Sequence, residues 1–148
     1  MPEKETLRRA AKDRRQGKSA STQAGEFVRE EMHHIREGKH GASSPEQAIA
    51  IGLSKARRAG VPLKAPAPGK AKASTRRSAQ SAIRAGKRHK QASPKRARAT
   101  LGALKHKGRG AASPSALARH AHRAAMRRPA SARSAAARKA ARTRASHP

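Results

Sequence analysis

No acidic residue follows Glu46. The eight acids of this 148-residue chain (Glu3, Glu5, Asp13, Glu26, Glu30, Glu31, Glu37 and Glu46) share residues 1–46 with ten lysines and arginines. The other 27 of the 37 basic residues fall after them, within a formal net charge of +29. Like charges at that density oppose compaction, and they attract polyanions. The chain therefore reads as a nearly neutral head on a cationic tail. The expected division is a head over 1–60, a linker over 61–74 in which Pro62, Pro66 and Pro68 favour extended backbone, and a basic tail over 75–148.

Local punctuation points to helices throughout. Gly followed by a basic residue recurs at 17, 38, 69, 86 and 108, each time shortly before a serine and a helix-compatible stretch. Gly suits the left-handed position that ends a helix, and Ser suits the next N-cap. In Ser44-Pro45, Ser93-Pro94 and Ser113-Pro114 the proline falls where a helix has no use for its missing N–H. Ser44 and Gln47 add a capping box. These signals predict helices near 3–15, 22–36, 45–59, 75–85, 94–106, 114–127 and 131–144. One aromatic residue and few β-branched ones leave no alternating run for a strand.

Only the second and third helices carry enough apolar surface to pack. Ala24, Phe27, Val28, Met32 and Ile35 share one side of the second, with Glu26, Glu30, His33 and Glu37 assigned to solvent. Ile49, Gly52, Leu53 and Ala56 form a stripe on the third, with Gly52 small enough for close approach. Ile51 points the other way, toward the first helix or another protomer, so a homodimer through this hairpin is one expectation. The fold class expected is all-α: a small helical hairpin over about 22–59, followed by a long, basic, partly disordered tail with short helices that form fully on neutralisation.

The stretch from Gln47 to Arg57, "QAIAIGLSKAR", resembles the core of a family of small, basic bacterial proteins of unknown function, over residues 22–63. The resemblance implies a bacterial, cytoplasmic or nucleoid setting and brings no activity with it. The Ala- and Lys-rich tail resembles those of linker histones. Ser93 to Arg96, "SPKR", resembles their Ser-Pro-basic-basic units, which are associated with the minor groove; the same residues also read as an N-cap with proline at the first helical position.

Chemistry-bearing motifs are otherwise scarce. Without cysteine there is no disulfide and no thiolate ligand or nucleophile. Glu30, His33, His34 and Glu37 have helical spacing but read as a solvated face, so neither metal nor cofactor is expected. The Gly-Lys pairs lack the spacing of a phosphate-binding loop, and the serines have no His-acid partners, so an enzyme is not expected. No apolar run exceeds six residues, so neither a signal peptide nor a membrane span is expected.

Electrostatic recognition of nucleic acid remains. Candidate phosphate ligands are Lys55, Arg57 and Arg58 at the end of the third helix; Arg76, Arg77, Arg84, Lys87 and Arg88; Lys95, Arg96, Arg98 and Lys105; Arg127 and Arg128; and Arg138, Lys139, Arg142 and Arg144. Stacking on single strands needs aromatics. Duplex DNA, bound without base reading in a compacting or nucleoid-associated role, is the expected partner. RNA or the ribosome, and an acidic protein docked on the hairpin, are the alternatives.

Overall fold

The computed structural model describes residues 1–89 and 92–147. Among them are seven α-helices and no strand: α1 (Lys4–Arg15), α2 (Ala20–Arg36), α3 (Pro45–Arg58), α4 (Ala73–Lys87), α5 (Pro94–Lys105), α6 (Pro114–Met126) and α7 (Ala130–Ser146). A short 3-10 turn spans Gly110–Ala112. Two compact units divide the chain, Met1–Ser113 and Pro114–Pro148.

The caps predicted at Ser44 and Ser93 form, whereas α4 starts at Ala73 with Lys72 in the N-cap position and Ser74 inside the helix. Ser44 Oγ accepts from the Gln47 N–H at 3.2 Å and Ser93 Oγ from the Arg96 N–H at 3.3 Å. Gln47 Oε1 reaches back one residue further than a capping box requires, to the N–H of Ser43. Ser19 starts α2 in the same way, accepting from Thr22. Gly17 and Gly38 take positive φ after α1 and α2, as the stop signals predict.

In the first unit α2 lies between α1 and α3, and α4 packs on the other partner of that pair, α3. Phe27 and Ala24 of α2 meet Ala10 of α1 and Ala56 of α3, with Leu53, Val61 and Leu63 packed around them. Gly52 sits against α2 so closely that a Cβ there would lie 2.7 Å from Val28 Cα. The small-residue seam that the sequence suggests is thus what lets α2 and α3 touch.

Several expectations are corrected. The chain after residue 60 is not a long, partly disordered tail. Val61 and Leu63 join the core, Arg57 Nη2 donates to the Lys64 carbonyl at 3.1 Å, and α4 docks on α3 through Ala79, Ala82 and Gly86. The physical reason is the small residues on one face of α4, which admit a close backbone approach while the charges project from the other. Gly86 is not a helix stop either. It lies within α4, where an added Cβ would come 2.2 Å from the Arg57 carbonyl oxygen, and His89 takes the positive φ beyond the helix end. Further on, the 41–42 segment bonds to the end of α5, through Gly41 N–H to Leu104 O and Ala42 N–H to Gly108 O. Arg36 Nε reaches the carbonyl of Ala112 at 2.9 Å.

The second unit rests on helix propensity. Neither α6 nor α7 buries a residue. Alanine favours the helical backbone at many of the positions between the charges.

Candidate nucleic-acid interface

The geometry of the cations is set first by where the acids are spent. Arg9 Nε holds Glu26 at 2.6 Å, Lys18 holds Asp13 at 2.7 Å, and Arg8 and Arg9 flank Glu5. Lys39 bridges Glu3 and Glu37, and Lys55 bridges Glu30 and Glu31. Those seven acids are therefore neutralised by partners within residues 1–58. Beyond these seven the sequence holds one further acid, Glu46, against the 27 lysines and arginines that follow it.

Two of the candidate ligands are engaged by partners within the fold, Lys55 half-buried and Arg57 buried. Lys55 stands over the carboxylates of Glu30 and Glu31, which are 3% and 0% exposed. Glu30 was expected in solvent; it is buried because α1 covers that side of α2, with the Glu3 N–H donating to Glu30 Oε2 at 3.0 Å. Burial pushes the Glu30 carboxyl up, but the Glu3 N–H, the Thr6 hydroxyl and the Lys55 ammonium outweigh it and hold it below its ordinary value. Arg57 is buried between α3 and the 60–64 segment, where loss of water pushes its guanidinium below its usual range. Both residues are corrected from phosphate ligands to structural cations.

The rest of the set is accessible. Arg58 and Arg76 are half-buried, while Arg77, Arg84, Lys87, Arg88, Lys95, Arg96, Arg98 and Lys105 are exposed in the first unit. In α4 the buried residues Ala79, Ala82 and Gly86 mark one face. At about 100° per residue, Arg77, Arg84 and Arg88 fall in one row on the opposite face, spanning about 16 Å. That is roughly five base-pair steps of a duplex. Arg98 and Lys105, seven apart on α5, lie on one side of that helix. Docking of α4 thus converts a scatter of arginines into an outward-facing line.

In the second unit Arg127 and Arg128 occupy the turn between α6 and α7, and Arg138, Lys139, Arg142 and Arg144 are exposed on α7. They point in several directions around its axis. Such a helix has no face to pack and many to offer an anion. Phe27, the one residue among Phe, Trp and Tyr, is fully buried, so no large aromatic ring is available to stack on a base.

An ionic cluster in the first unit was not foreseen from the sequence. Glu31, not Glu30, meets His34 and His40, with His40 Nε2 3.2 Å from Glu31 Oε2. Glu31 and His34 are three apart on α2, a spacing visible in the sequence, but His40 lies beyond the helix end and is brought back only by the 37–44 turn.

Comparison with protein-family models, curated proteins and solved structures returned no match.

Proposed function

We propose that this protein binds duplex DNA through its phosphates, without reading bases, in a nucleoid-associated or compacting role. The observation that carries the proposal is the segregation of charge: seven acids are paired internally, whereas α4, α5 and α7 present exposed cations with no acid after Glu46. Each phosphate engaged by Lys or Arg releases condensed counterions, and that gain is indifferent to sequence. The outward row of Arg77, Arg84 and Arg88 favours a regular polyanion of duplex dimensions. Burial of Phe27 argues against single-strand recognition, which relies on stacking. Among the described residues no helix is long and apolar enough to cross a membrane.

Competition binding by fluorescence anisotropy tests this reading, with labelled duplex DNA against unlabelled A·T-rich duplex, G·C-rich duplex, single-stranded DNA and structured RNA of matched length. The two duplexes should compete within about fivefold of each other, and both should outcompete the single strand. If structured RNA or an acidic protein displaces the probe a hundredfold better than duplex DNA, the proposal fails in favour of that partner.

A further inference from the structure

The Glu31, His34 and His40 side chains have an arrangement that internal ion pairing does not exhaust. Their ligand atoms lie within 4.8 Å of one another, and both oxygens of Glu31 are buried without accepting a hydrogen bond of good geometry. Lys55 and His40 stand close to them by distance alone. Each histidine spends its other ring nitrogen outside the cluster. His40 Nδ1 is 3.1 Å from the Gly41 carbonyl, which can only accept, so that nitrogen carries the proton. His34 Nε2 is 2.8 Å from Glu3 Oε1, again an acceptor. In the neutral rings this leaves His34 Nδ1 and His40 Nε2 as bare lone pairs, both aimed at a carboxylate. Lone pairs converging from three sides call for a cation.

We propose that Glu31, His34 and His40 form a zinc site that clamps the 37–44 turn onto α2. Two imidazole nitrogens and one carboxylate are a ligand set suited to Zn²⁺ and poorly suited to Mg²⁺ or Ca²⁺, which prefer oxygen. Ligands of a tetrahedral zinc ion stand about 3.3 Å apart. His40 Nε2 is already 3.2 Å from Glu31 Oε2, and with one oxygen of Glu31 and one nitrogen of each histidine all within 4.8 Å of one another, no pair has to close by more than about 1.5 Å. The Glu3 carboxylate behind His34 and the Gly41 carbonyl behind His40 are the outer acceptors that fix ring orientation around a metal. Lys55 is the competing cation. Zinc would displace its ammonium from Glu31 onto Glu30, whose Oε1 is 3.2 Å away. A surface cleft lined by Glu3, Thr6, Glu30, His34 and Lys39 exposes the outer side of the His34 ring. The site uses none of the arginines of the cationic row on α4.

The test is a titration of the intact, unmodified chain with ZnCl2, followed through the imidazole ¹⁵N resonances of all eight histidines. At one equivalent the metallated nitrogens should be Nδ1 of His34 and Nε2 of His40, with the other six rings unchanged, and MgCl2 should do nothing. Glu3→Gln keeps the backbone bond to Glu30 but weakens the outer acceptor, and zinc affinity should fall roughly 10- to 100-fold. Zinc shifts at His33, His120 or His122 in place of His34 and His40, or no saturation at one equivalent, would overturn the assignment. Unchanged zinc affinity in Glu3→Gln would overturn the role of Glu3 behind it.

Discussion

Replacing Gly86 with alanine distinguishes a docked α4 from a free cationic helix, because the two situations give opposite signs. On a helix that touches nothing, Gly→Ala is stabilising by up to about 1 kcal/mol. In the structure the new methyl would lie 2.2 Å from the Arg57 carbonyl oxygen and 3.2 and 3.3 Å from Arg57 C and Arg58 O. All three are backbone atoms, so no side chain can swing aside. Ordinary carbon–oxygen contact begins near 3.3 Å, so α4 would have to retreat by about 1 Å. Overpacking of this kind costs about 1 to 3 kcal/mol, and the retreat also loosens Ala79 and Ala82 from α3. The net expectation is a loss of about 1 to 2 kcal/mol, or a fall in melting temperature of roughly 4 to 10 °C for a unit of this size. Thermal circular dichroism of the full chain at moderate salt, wild type against Gly86→Ala, measures it. An unchanged or raised melting temperature would refute the docking of α4.

Two further predictions follow from the interface and its ionic interior. Because Glu30 is held below its ordinary value of 4.5 in the folded protein, its contribution to stability is fully present above about pH 4.5 and lost as pH falls through the lower folded value; urea midpoints should drop over that acidic window, and Glu30→Gln should flatten the drop. Replacing Arg77, Arg84 and Arg88 together with alanine should reduce the magnitude of the salt slope of DNA binding by about 2 to 3 and weaken A·T-rich and G·C-rich duplexes equally, as measured by anisotropy at several salt concentrations.

The helices were legible in the sequence because their signals are local. Ser44, Ser93 and their prolines specify helix starts within four residues, and the helices begin at Pro45 and Pro94 accordingly. Gly52 was legible for a similar reason, since a small residue within an apolar stripe has few other uses. What escaped was set by contacts across long stretches of chain. Glu30 read as solvated, and Glu31 drew no assignment, because nothing nearby announces that Lys55, 25 and 24 residues later, would stand over them. Gly86 carried the same local signature as Gly17 and Gly38, yet its role comes from the Arg57 carbonyl on α3. The cationic row on α4 was invisible for the same reason: its orientation follows from which face α4 buries. Lys55 and Arg57 were misassigned because composition counts charges without showing which are already spoken for.

The central claim is that affinity comes from phosphate neutralisation, and the salt dependence of binding tests it most directly. Binding isotherms of the full chain on A·T-rich, G·C-rich and mixed duplexes, taken at four salt concentrations between 50 and 200 mM, give log K against log salt. With about 6 to 10 phosphates engaged, the slope should be about −5 to −9 on every duplex, and affinity should fall roughly 10³- to 10⁵-fold over that range. A shallow slope together with hundredfold preference for one sequence would contradict the account, because a folded element would then be reading base edges.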